Sequence, residues 1–124
     1  MAPPAAVPTI LVVEDDRALR DFYAAALRSA GYRAATVEDG LDALRWIEQE
    51  TPAAIVLDLS LIRLSGRDVQ RELRARTETR RIPIVVVTGG DTHDLNISEI
   101  VCLLAKPVTD EALADAVRRC LGRT

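Results

Sequence analysis

The sequence predicts a single α/β domain: a parallel sheet with helices on both faces. Two observations carry this. Short apolar runs alternate with amphipathic segments from one end of the 124-residue chain to the other, and alternating strands and helices imply right-handed crossovers and a parallel sheet. Most runs are also near-continuous in Val, Ile and Leu, as in strands buried on both sides. A chain of this length makes one domain and leaves little room for a second.

The elements follow in order. Thr9–Val13 is long enough for a buried strand, and Asp16 can cap the helix after it, where Leu19, Phe22, Tyr23, Ala26, Leu27 and Ala30 recur at helical spacing. Gly31 stops that helix. Arg33–Val37 is a weaker, more polar run, expected at a sheet edge. Leu41, Leu44 and Ile47 mark a second helix that Pro52 ends. Ala54–Leu57 is the third strand and stops at Asp58; after a loop to Gly66, Val69 and Leu73 mark a third helix with arginines on its outer face. Pro83 introduces Ile84–Val87, which Gly89 and Gly90 break. Ile100–Ala105 is a fifth apolar run, ending at Lys106 and Pro107. The last helix has Thr109 as cap, Asp110 and Glu111 at its positive end, and Leu113, Ala116, Val117, Cys120 and Leu121 on one face, with Gly122 closing it. Residues 1–8 are expected as a loose tail ahead of a domain running from 9 to 122.

Composition narrows the function classes. At 48% hydrophobic and 28% charged residues the chain is globular rather than disordered. No apolar run approaches the roughly 20 residues needed to cross a bilayer. The Ala- and Pro-rich start lacks the basic region of a signal peptide. A net charge of −3 argues against a nucleic-acid groove. Two cysteines, Cys102 and Cys120, make no disulfide scaffold, read as core, and fit a reduced, cytoplasmic setting. The 16 basic residues include one lysine, Lys106; all the others are arginine.

Ligands of open α/β sheets bind beyond the carboxyl ends of the strands. There the first strand ends in Glu14, Asp15 and Asp16, the third in Asp58, the fourth in Thr88 and the fifth in Lys106. Crowded carboxylates resist ionisation unless a cation joins them, and a hard ion such as Mg²⁺ suits one or two carboxylates plus waters. The compact ammonium of Lys106 suits a phosphoryl oxygen, and Thr88 can donate to another. The set fits a phosphoryl group beside a metal ion. Asp16 reads as the helix cap rather than a further ligand. His93 reads as an exposed loop residue, Trp46 as packing for the second helix, and Arg67, Arg71, Arg74 and Arg76 as a solvated face.

Ile10–Asp16, Ile55–Asp58, Val85–Thr88 and Lys106-Pro107, in this order over about residues 8–122, resemble the signature of the receiver domain of two-component response regulators. Each piece alone is weak; the ordered set is specific. The resemblance implies a flavodoxin-like, doubly wound sheet of five parallel strands in the order 2-1-3-4-5. It also implies that Asp58 accepts a phosphoryl group from a phosphohistidine of a sensor histidine kinase or histidine phosphotransfer protein. Asp15 would then bind Mg²⁺ directly, Glu14 through water, and the Ser60 backbone carbonyl would complete the ligands with Asp58, while Thr88 and Lys106 grip the phosphoryl oxygens. The domain would be a signalling switch with Mg²⁺-dependent phosphotransfer and self-dephosphorylation rather than an enzyme with its own substrate. It would act as a monomer or weak dimer on an unknown downstream protein, without nucleic acid or membrane. Both a stand-alone receiver and a part of a larger regulator or hybrid kinase fit the pattern.

The chain departs from that pattern in places. Leu103 stands where most receivers carry an aromatic switch residue, Ile62 where many have proline, and the stretch from Thr88 to Lys106 is short. A short or irregular helix is therefore expected over 91–99. Ser60 and Gly90, two positions beyond Asp58 and Thr88, offer no group to orient an attacking water, so slow self-dephosphorylation is expected; Gly89 leaves access open to a bulky donor. A pseudo-receiver serving only as a protein-interaction module is the alternative, opposed by the retention of Glu14, Asp15, Asp58, Thr88 and Lys106. A phosphohydrolase of the Asp-x-Asp type is opposed by Leu59 and Ser60 after Asp58. The lone lysine gives a sharp test: Lys106→Arg, conservative by charge, is expected to impair phosphorylation-dependent signalling while leaving the circular-dichroism spectrum unchanged, and normal signalling would make the lysine an accident of composition.

Overall fold

The computed structural model describes residues 7–59, 66–89 and 102–122. Over these, strands and helices run in the order β1 (Thr9–Val13), α1 (Arg17–Ser29), β2 (Arg33–Val37), α2 (Gly40–Gln49), β3 (Ala54–Asp58), α3 (Gly66–Ala75), β4 (Ile84–Thr88), β5 (Cys102–Ala105) and α4 (Asp110–Gly122). The five strands form one parallel sheet in the order β2-β1-β3-β4-β5. This is the doubly wound topology expected above. Ser60, Ile62, Gly90, His93, the stretch 91–99 with its expected helix, and residues 1–6 of the expected tail lie outside the described residues.

Local chemistry sets the element ends. Asp16 is extended, and its Oδ1 accepts the Leu19 N–H at 3.0 Å, capping α1. Asp39, which the sequence reading passed over, caps α2 in the same way, accepting the Asp42 N–H at 2.9 Å. After α1 the chain turns at Gly31 with φ of +98°, a conformation L side chains rarely adopt. Thr109 Oγ1 accepts the Ala112 N–H at 3.1 Å at the head of α4.

The pleat divides the core into two layers. Leu11 and Val13, Ile55 and Leu57, and Ile84 and Val86 face α2 and α3, packing on Ala43, Leu44, Ile47, Val69 and Leu73. Their alternate neighbours Ile10 and Val12, Ala54 and Val56, and Val85 and Val87 face α1 and α4, packing on Tyr23, Leu27, Leu113, Val117 and Cys120. Trp46 is partly buried on the first layer. All five residues of β3 and of β4 are buried. Strands β2 and β5 are the sheet edges. The fifth run is therefore less enclosed than expected: β5 alternates half-buried with exposed residues, Cys102 is half-buried, and Leu103 is 38% exposed.

One side chain in the second layer is out of balance. Tyr23 is 1% exposed, yet its hydroxyl has no hydrogen-bond partner among the described residues. An unpaired buried hydroxyl costs about 1–3 kcal/mol. Tyr23→Phe keeps the ring and is expected to raise the free energy of unfolding by about 1 kcal/mol; a loss of stability in urea titration would show that the hydroxyl is paired.

Candidate functional site

Strand register brings the polar ends together. Val13 of β1 lies level with Leu57 of β3, so Glu14 and Asp58 follow side by side. Asp58 pairs with Val87 of β4, and Thr88 follows; Thr88 pairs with Ala105 of β5, and Lys106 follows. Each site residue is the first polar position after an apolar strand, at the same edge of the sheet.

The side chains then converge. Lys106 Nζ donates to Glu14 Oε1 and to Asp58 Oδ2, both at 3.2 Å. Glu14 and Asp58 are almost fully buried, at 1% and 2% exposure, and Thr88 is buried as well. The Lys106 backbone N–H donates to the Thr88 carbonyl at 2.9 Å, fixing the root of the lysine beside β4. A Cβ placed on Gly89 would stand 3.7 Å from Lys106 Cβ, so the glycine borders the lysine stem directly. Asp15 is half-buried, and its carboxylate comes together with those of Glu14 and Asp58: one oxygen from each lies within 4.8 Å of the others. Asp16 is exposed and serves as the helix cap.

This crowding sets the electrostatics. Burial, then the hydrogen bond and negative charge of Asp58, push the Glu14 carboxyl up to about 8; Lys106 opposes them without prevailing. Burial pulls Lys106 down, but the charges of Asp58 and Glu14 outweigh it and hold the ammonium above its ordinary value. One ammonium does not balance three clustered carboxylates. A divalent cation with oxygen preference would, so the donor set fits Mg²⁺.

Of the residues singled out in the sequence, Glu14, Asp15, Asp58, Thr88 and Lys106 come to one place, and Ser60 lies outside the described residues. The sequence reading missed Arg20. Its guanidinium, from the second turn of α1, donates to the backbone carbonyl of Glu14 at 3.0 Å. Little in the sequence singles it out, since Arg17, exposed at the head of the same helix, opposes the helix dipole just as well.

Known proteins agree with this geometry. The model of the response regulator receiver domain matches residues 10–118. Response regulator MprA of Mycobacterium ulcerans (strain Agy99) is 36% identical over 119 residues, covering 93% of this chain and 50% of MprA; the chain spans about half the length of the curated relatives it matches. Among solved structures, the receiver domain of sensor histidine kinase PA1611 from Pseudomonas aeruginosa PAO1, with a magnesium ion coordinated in its active-site cleft, superposes with a TM-score of 0.85 at 34% identity, covering 94% of this chain and 99% of that one. A sensor protein from Polaromonas sp. JS666 superposes with a TM-score of 0.87 at 26% identity, covering 94% and 97%. Strand order, the acidic pocket at the carboxyl edge and these matches agree: this chain belongs to the family of response regulator receiver domains.

Proposed function

We propose that Asp58 is the phosphoacceptor of a two-component signalling switch. The observation that carries this reading is the convergence of the Lys106 ammonium on Asp58 Oδ2 and Glu14 Oε1, each at 3.2 Å, beside a third carboxylate. An oxygen of Asp58 attacks the phosphorus of a phosphohistidine on a sensor histidine kinase or histidine phosphotransfer protein. The new P–O bond makes an acyl phosphate while the P–N bond breaks, and the imidazole leaves with the electron pair and takes a proton from solvent. Lys106 steadies a phosphoryl oxygen, and Thr88 donates to another. Glu14, Asp15, Asp58 and the Ser60 carbonyl would hold Mg²⁺, which when bound neutralises charge on the phosphoryl oxygens. The protein's part is positioning and charge, which suffices for phosphoryl transfer. Release of the phosphoryl group to water is slow in this reading.

The decisive experiment uses a small phosphodonor. Wild-type protein incubated with Mg²⁺ and acetyl phosphate is expected to gain one phosphoryl group by intact mass, and Asp58→Asn to gain none. Absence of the adduct, together with no beryllofluoride binding, would support a pseudo-receiver acting as an interaction module instead. Turnover of phosphoesters would support a hydrolase.

Glu14 supplies a second test through proton linkage. Its carboxyl stays protonated in the folded state up to about pH 8, whereas the ordinary value is 4.5. Between these limits the folded chain binds more protons than the unfolded one, so stability falls as pH rises. With chelator present, the urea midpoint is expected to decline from about pH 5 to about pH 8, and Glu14→Gln to flatten the decline. An identical slope in both proteins would place the carboxyl's titration elsewhere.

A further inference from the structure

We propose that Arg20 is a positioning residue for the cation site: its guanidinium holds the backbone of the Glu14–Asp15 turn and so keeps those two carboxylates aimed at Asp58. The proposal rests on the reading of this edge as a divalent-cation site. Arg20 differs from the other ion-paired arginines. Its side chain is 13% exposed, against 31% to 87% for the rest of the arginines in described ion pairs. Its head reaches back from α1 toward the end of β1. Nη1 donates to the Glu14 carbonyl at 3.0 Å and, more loosely, to the Asp15 carbonyl at 3.5 Å. Nη2 lies 3.8 Å from Glu38, just after β2.

The turn is thereby held from two directions, since the Glu14 N–H donates to the Val37 carbonyl at 3.2 Å. Inside the turn, the Asp15 N–H donates to Glu14 Oε2 at 3.0 Å, which leaves Oε1 to Lys106. Glu14 thus has its N–H, its carbonyl and both carboxylate oxygens engaged. Arg20 alone among these partners comes from a helix rather than from the strand ends. A planar fork reaches two successive carbonyls and a carboxylate at once, which an ammonium does not. Residues that orient the ligands of a metal typically weaken its binding by about 10- to 100-fold when lost.

Charge and positioning predict opposite signs, which makes the test sharp. Arg20 is a positive group held on the turn that carries two of the three carboxylates, so if only its charge matters, neutralising it tightens binding of a cation. If it positions the turn, neutralising it weakens binding. Mg²⁺ is titrated calorimetrically into wild type, Arg20→Met, Arg20→Lys and Asp15→Asn, and urea midpoints are measured in chelator. Arg20→Met is expected to weaken Mg²⁺ binding about tenfold, and Arg20→Lys, at full charge, to weaken it by less. Equal or tighter binding by Arg20→Met overturns the proposal, as does a shift in urea midpoint with no change in affinity. If Arg20→Met does not fold, Arg20→Lys decides, because unchanged affinity there overturns the assignment. Wild type that binds no Mg²⁺, or binds it no better than Asp15→Asn, overturns the cation-site reading and this proposal with it; failure confined to the Arg20 variants leaves that reading standing.

Discussion

Two carboxylates nearly closed off from water, and the half-buried ammonium that reaches both, are the constraint on which this molecule depends. Glu14 and Asp58 are each at most 2% exposed, and Lys106 reaches both. Charges in such a place repay their desolvation only when partners are held in good geometry. The sheet supplies that geometry. Parallel pairing fixes β1, β3, β4 and β5 in mutual register, so the three groups come from strand ends that cannot slide independently. A one-residue slip would turn each polar end to the other face and each apolar position with it. The same register that seals the core therefore aims the site.

The imbalance of charge is equally deliberate in its effect. Lys106 answers part of the negative charge and leaves the rest to a proton on Glu14 or to a cation. A site whose charges are out of balance is one that responds when charge is added or removed. In the proposed function, a phosphoryl group on Asp58 adds negative charge and strong acceptor oxygens, and so acts directly on that balance.

Most of this was legible in the sequence, for reasons visible in particular residues. The all-apolar runs of β3 and β4 announced strands buried on both faces, and the polar residue closing each run announced the carboxyl edge. Parity within the strands, however, is invisible where every position is apolar: nothing in Ile84–Val87 says which residue meets α2 and which meets α4. The exposure of β5 was missed because Cys102–Ala105 is as apolar as a central strand, and its place at the sheet edge is a property of topology rather than of composition. Arg20 was missed because its role runs through backbone carbonyls, which carry no residue identity. Asp39 was missed although an Asp ahead of an apolar-periodic segment is an ordinary cap signal.

The division of the core by the pleat has a spectroscopic consequence. The single tryptophan, Trp46, packs in the layer of α2 and α3, whereas both tyrosines, Tyr23 and Tyr32, pack in the layer of α1 and α4. Each side of the sheet thus carries its own chromophore. Selective excitation of the indole follows one layer, and the phenol bands follow the other, so the loosening of the two halves can be watched separately in one unlabelled sample. Coincident transitions would mark the sheet as a rigid partition that melts with both its sides at once; separated ones would reveal a domain made of two cooperative halves sharing a wall.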